Sequence, residues 1–355
     1  MTTLHPEGAL VCSVREWTGD YFSRDVPGGV ETTPVRSALW CIKADGSDRR
    51  PVPLPGERVE HPLASRDGGW IYFQSEAAGR WSIQRVRPDG GGLMKIAPNG
   101  ELDDGKTSAF GAALSGDGRQ LTFTLHAGGA GRVVQAQPDG RGARVLAPDF
   151  GYTYMAAPDG RAERVVFSGP ARDYRLVMME GPGGIPRVLT PDHPDSYMPQ
   201  FTPDGSAIIF IRRDGGLYRV APDGTGLQRL ADNVQVEFFL SPQDAHGSTD
   251  VPAISPDGTR VAFVRTGRGA GAQVAVVDCG GKNLRMLTNL PGVCGRVGWS
   301  PDGGWLAFVS FVAGWPQLFV MPGDGSAGPR QLTADAKAVY ALSWLPTGGW
   351  PVTVS

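Results

Sequence analysis

The chain of 355 residues carries 34 Lys and Arg against 36 Asp and Glu, a net charge of −2, so it has neither the basic field that holds a phosphate backbone nor an acidic tail. Its 51 Gly and 30 Pro supply far more turn-formers than average, while a hydrophobic content of 41% excludes a disordered chain. Many short strands joined by tight turns satisfy both facts, and nucleic acid is not an expected partner.

The first residues, MTTLHPEGALVCSV, show no basic segment followed by an apolar run, and no stretch of about 18 apolar residues occurs anywhere. The expectation is a cytoplasmic protein without membrane contact. Within 9–54, LVCSVRE, ALWCIKAD and RRPVPL read as the later strands of a unit whose first strand is missing. Cys12, Cys41, Cys279 and Cys294 have no C-x-x-C spacing and read as small buried hydrophobes.

From residue 57 a unit repeats. Its turn signature stands at 65–68 (SRDG), 115–118 (SGDG), 157–160 (APDG), 202–205 (TPDG), 255–258 (SPDG), 300–303 (SPDG) and, degraded, 345–348 (LPTG). Successive signatures lie 42 to 53 residues apart, the range of a propeller blade. In each unit a short strand precedes the signature, an apolar strand follows, then come a third strand, a second D-G turn such as Asp139-Gly140 or Asp223-Gly224, and a last strand. The turn chemistry is local: Pro presets φ, the Asp carboxylate accepts from nearby backbone N–H groups, and Gly takes the left-handed position.

Residues 57–105, 106–151, 152–196, 197–248, 249–294 and 295–338 make six such blades, and 339–355 supplies the first strand that 9–54 lacks. Pairing the two ends closes the ring and removes the edge strands that invite aggregation. The expected fold is all-β, a seven-bladed β-propeller of four-stranded antiparallel blades forming one domain over 1–355, with eight blades as the alternative.

The segments SPDGTRVAFV at 255–264 and SPDGGWLAFVSF at 300–311, each followed by a strand and a D-G turn, resemble the WD40-like repeats of the TolB propeller family over nearly the whole chain. The resemblance implies the fold and, by analogy with TolB, a role in binding protein. More distantly the chain is similar to the oligogalacturonate lyases, propellers with related turn repeats. That resemblance implies β-elimination on uronate-containing oligosaccharides, by a base that removes the proton α to a carboxylate and a group that neutralises the carboxylate. His61, a rim tyrosine and Arg296 are the residues here that fill those roles. Those lyases hold a metal through three histidines and a glutamine with an H-x-H pair; this chain has no H-x-H and no histidine after His246.

Strand alternation puts the stereotyped D-G turns on one face and every long connection, 17–37, 126–131, 169–173, 190–196 and 231–250, on the other, where loops of that length carry function. Aligning the first strands on their signatures places Glu60, Phe110, Tyr152, Tyr197, Asp250, Gly295 and Tyr340 at one rim level. His61 and Arg296 fall one residue further on. Were the protein an enzyme, His61, Tyr152, Tyr197, Arg296 and Tyr340 would be its catalytic set, with His61 the acid/base because its natural pKa suits proton transfer near neutrality. Glu60, His126, Asp250 and His246 are the candidate ligand-binding residues. No cofactor or metal is expected; the alternative is a divalent ion near His246, beside Gln243, Asp244 and Asp250.

There is no G-x-S-x-G elbow, Walker A sequence, H-E-x-x-H or paired-cysteine site. Two functions of different class stay open: a propeller that binds a protein or an oligosaccharide on its loop-rich face, and a lyase. A sugar hydrolase or isomerase using Glu60, Asp250 or Glu237 is a third.

Overall fold

The computed structural model describes residues 6–17, 23–26, 29–32, 35–56, 58–170, 173–181, 183–235, 237–238, 248–249, 251–267, 271–312, 315–335 and 337–346. Seven four-stranded antiparallel sheets are arranged as the blades of a propeller, and two small hairpins stand apart from them. In blade 1 the innermost strand, Ala338–Leu345, pairs with Ala9–Trp17, which is followed outward by Val35–Lys43 and Arg49–Pro51. The innermost strands of blades 2 to 7 are Val59–Ala64, Ser108–Leu114, Tyr154–Pro158, Ser196–Phe201, Ala253–Ile254 and Cys294–Trp299.

The second and third strands of a blade are covered on both sides by neighbouring blades, which is why they read as near-continuous apolar runs such as AQVAVVD and WPQLFVMP. Phe73, Phe123, Phe167, Phe210, Phe263 and Phe308 sit in the second strands of blades 2 to 7, each at most 2% exposed, so one buried ring per blade anchors the layer.

The repeated turn is held by two polar groups. Ser65 Oγ donates to Asp67 at 2.6 Å and accepts from the Trp70 N–H at 2.9 Å, while Asp67 accepts from the Gly69 N–H. Ser115–Asp117, Thr202–Asp204 and Ser255–Asp257 repeat this, and the hydroxyl donors hold those carboxyls below their usual pKa. Blade 4 departs from the pattern. There the backbone ring that Ser65 closes with Trp70 is closed by Asp159 with Arg164, and Ala162, at φ 59°, takes the left-handed place of Gly68. The turn is therefore 159–162, two residues later than the APDG reading at 157–160.

Five innermost strands carry the same bulge. Pairing breaks between Glu60 and Leu63, Phe110 and Ala113, Tyr154 and Ala157, Tyr197 and Gln200, and Gly295 and Gly298. Its first residue has positive φ in every case: His61, Gly111, Met155, Met198 and Arg296. A bulge re-aims the side chains around it, and this one recurs at the throat of the ring.

Closure by both ends of the chain is confirmed by the register Leu10↔Trp344 and Cys12↔Leu342. Across the same seam Arg330 donates to the carbonyls of Asp45 and Ala44, each at 2.8 Å, and Arg49 pairs with Asp335. The hairpins Ser23–Val26 with Gly29–Thr32, and Glu237–Phe238 with Ser248–Thr249, lie in two of the long connections.

Candidate binding face

The axis of the ring holds a cavity of about 840 Å³ to which all seven blades contribute. Leu63, Leu114, Met155, Met198, Trp299 and Trp344 set its character, and among the described residues Arg66 is the only charged one in its wall. Among the described residues its wall is largely apolar and carries no His, Asp, Glu, Lys, Cys or Tyr. Gly111, Met155 and Met198 reach it from their bulges; His61 and Arg296, at the same bulge position, do not line it.

Those two belong to a cationic sector formed by blades 7, 1 and 2. Glu60, 2% exposed, receives both Nε and Nη2 of Arg15, at 2.9 and 2.6 Å. Arg58 stands 3.8 Å from the same carboxylate and 3.4 Å from Glu76. Burial would raise the Glu60 pKa, but the Arg15 guanidinium overcomes this and holds it below the usual carboxylate range. The buried ring of Tyr340 carries the Arg15 guanidinium at 3.3 Å from its centroid and that of Arg296 at 4.9 Å, while Arg296 Nε donates to the Tyr340 carbonyl at 3.0 Å. His61 meets Tyr340 edge to face at 5.3 Å. Burial first, and then the neighbouring Arg296 charge, pushes the His61 pKa down to about 4. At neutral pH it is an uncharged, weak base.

From Arg58, whose guanidinium lies 5.0 Å from the Trp81 ring, a second feature runs across blades 2 to 5. Trp81, Phe110, His126, Tyr152, Tyr154, Tyr174 and Tyr197 form an unbroken series, with successive ring centroids 5.2 to 6.2 Å apart and mostly edge to face. All seven are half-buried. The series ends where Arg213 donates to the Tyr197 hydroxyl at 2.8 Å and that hydroxyl donates to Asp195 at 2.8 Å. Burial, followed by the neighbouring Tyr174, raises the pKa values of Tyr152 and Tyr154, and burial does the same for Tyr197, so all three are neutral phenols. Burial alone lowers that of His126. The strand ends and starts that carry these rings all lie opposite the D-G turns.

A model of the TolB β-propeller domain matches residues 173–354, just over half of the chain. The chain belongs to the TolB β-propeller family. A curated relative of this TolB-family chain, an uncharacterized protein of Agrobacterium fabrum, is 34% identical over 85 residues, which is 24% of this chain and 23% of that one. The match thus spans about a quarter of the relative's length. Among solved structures, TolB from Acinetobacter baumannii superposes with a TM-score of 0.54 at 15% identity, covering 95% of this chain and 83% of that chain. Oligogalacturonate lyase from Vibrio parahaemolyticus gives 0.60 at 12% identity, covering 93% and 87%. At such identities these likenesses show the fold alone.

Of the residues singled out in the sequence of this TolB-family propeller, His61, Glu60, Arg296 and Tyr340 come together in the cationic sector, and His126, Tyr152 and Tyr197 in the aromatic arc. Asp250 and His246, with the metal site considered beside His246, lie outside the described residues. Among the described residues no group of three or more His, Cys, Asp or Glu side chains is placed to hold a metal ion, and no helix is long and apolar enough to cross a membrane. The rim alignment needs one correction: Tyr154, which pairs with Ser168 before the bulge, is the equivalent of Glu60 and Tyr197, and Tyr152 precedes it by two. The cause is the displaced turn of blade 4. Its signal was present in the sequence, since Arg260 follows Ser255 by five residues and Arg164 follows Asp159, not Ala157, by the same number. Arg15 sits on a second strand, Trp81 on a third, and Tyr174 in the connection just before a third, none of which the alignment of first strands samples.

Proposed function

We propose that this TolB-family propeller is a binding module that holds an elongated ligand along the aromatic arc of its loop-rich face and leaves it chemically unchanged. The arc is the observation that carries this reading: seven accessible rings in series offer broad apolar contact tipped with hydroxyls, the composition that dominates binding surfaces. A general base works best with a pKa near the operating pH, and His61, at about 4 and enclosed by two guanidiniums and Tyr340, is far from that.

The grouping of His61, Tyr340 and Arg296 is the one feature that favours the alternative, a lyase acting by β-elimination on uronate-containing oligosaccharides. One experiment separates the two. Neutral hexasaccharides, hexagalacturonate and a proline-rich peptide are incubated with the protein, binding is followed by calorimetry, and the ligand is then recovered. The binding reading expects a ligand recovered intact whose affinity falls in Tyr154→Ala. Appearance of an unsaturated uronate absorbance, abolished in His61→Ala, would replace it with the lyase.

A further inference from the structure

Resting on that reading, we infer that the arc from His126 to Tyr197 is a track for an uncharged oligosaccharide, with the sugar rings laid along the tyrosines of blades 4 and 5. Three observations converge on this class. First, the hydroxyls of Tyr152, Tyr154 and Tyr174 make no hydrogen bond among the described residues, whereas that of Tyr197 is fully engaged by Asp195 and Arg213. Three adjacent phenols that can each donate and accept call for a ligand with the same dual groups at regular intervals, as sugar hydroxyls are. A proline-rich chain, the other common occupant of aromatic grooves, offers carbonyl acceptors but no proline N–H donors.

Second, the guanidiniums flanking the arc are already neutralised by this chain. Arg58 faces Glu60 and Glu76, Arg175 pairs with Asp173 at 3.3 Å, and Arg213 with Asp195 at 3.4 Å. With the tyrosines held as neutral phenols, the track has little charge to spend on an acidic ligand. Arg132, exposed on the strand beside Leu125, is the nearby cation without a carboxylate partner among the described residues. Third, the rings continue without a gap at steps of 5.2 to 5.7 Å from Phe110 onward, which suits a chain of rings better than one compact molecule. Edge-to-face packing makes successive rings present face and edge in turn, and a pyranose likewise has apolar C–H faces and a hydroxyl-bearing edge.

The test is calorimetry on the intact protein with cellohexaose, chitohexaose and maltohexaose, with hexagalacturonate and a proline-rich peptide as the contrasting probes. At least one neutral hexasaccharide is expected to bind, about tenfold more weakly in Tyr154→Ala and in Tyr174→Ala. Tyr154→Phe keeps the ring and the fold and removes one hydroxyl, and should cost about threefold. Arg132→Ala should leave neutral binding unchanged. Binding of hexagalacturonate alone, lost in Arg132→Ala, would overturn the inference in favour of an acidic ligand. Tyr154-dependent binding of the peptide in place of any saccharide would overturn it while leaving the binding module intact, and failure of every probe would remove both.

Discussion

The cationic sector and the aromatic arc occupy one face and meet at Arg58, yet they are built on opposite terms. In the sector a carboxylate that is 2% exposed is held by Arg15, two guanidiniums lie on one tyrosine ring, and a histidine packs edge to face on the same ring. In the arc the rings are half-buried, and the hydroxyls of Tyr152, Tyr154 and Tyr174 make no hydrogen bond among the described residues. A polar group that is buried and paired is part of the scaffold, whereas one that is accessible and unpaired is kept for something else. On the proposed binding reading, the residue types that most resemble catalytic machinery belong to the scaffold.

The sharpest way to break this contrast is to remove one partner of the buried pair. Glu60→Ala leaves Arg15 charged and enclosed, and should lower unfolding stability by about 3–5 kcal/mol. Urea denaturation showing a loss under about 1 kcal/mol, the range of an exposed pair, would mean that the sector is open surface. Next in size is the pH response. The folded His61 pKa of about 4 lies below that of an unfolded imidazole, so as pH falls the unfolded chain takes up the proton first. Its contribution is full above about pH 6.5 and is lost progressively toward pH 4, a change on the order of 2–3 kcal/mol. His61→Asn, which tolerates the left-handed backbone, should flatten that window in melts recorded between those values; an unchanged slope would assign the acid sensitivity elsewhere.

Effects in the arc should be smaller. Tyr154→Ala removes edge contacts to Tyr152 and Tyr174 and should cost about 1–2 kcal/mol of stability, while Tyr154→Phe should cost less than about 0.5. An equal loss in both variants, measured by the same denaturation, would show that the hydroxyl is engaged in folding. The smallest change tests the register that puts Tyr154 on the arc. Ala162 holds a left-handed φ of 59° where blades 2, 3, 5, 6 and 7 use Gly68, Gly118, Gly205, Gly258 and Gly303, so Ala162→Gly should raise stability by about 0.5–1 kcal/mol. A loss instead would mean that blade 4 uses the APDG turn after all.

These points mark how far the sequence could be read. Turn residues report their own geometry, because Ser65, Asp67 and Gly68 bond to one another and to nothing distant, and so seven blades and their closure were legible. The loop-rich face followed from strand alternation. Which polar residues on that face are buried was not legible, because the burial of Glu60 depends on Arg15, 45 positions away, and that of Tyr340 on strands from both ends of the chain. Tyr174 joined the arc only once the third strands were placed, since it lies one residue before Arg175–Glu180 and no local pattern distinguishes it from a solvent-facing tyrosine.

The split first blade has a consequence for the making of the protein. Ala338–Leu345 is the last of the described strands to leave the ribosome, although it forms the innermost layer of the blade begun by Ala9–Trp17. While six later blades are synthesised, that early strand stands with an unpaired edge, and Leu10, Cys12 and Val14, at most 2% exposed in the finished ring, await their cover. A chain stalled before residue 338 therefore leaves open the inner edge of Ala9–Trp17, which the completed ring pairs from Ala9↔Leu345 to Arg15↔Ala338.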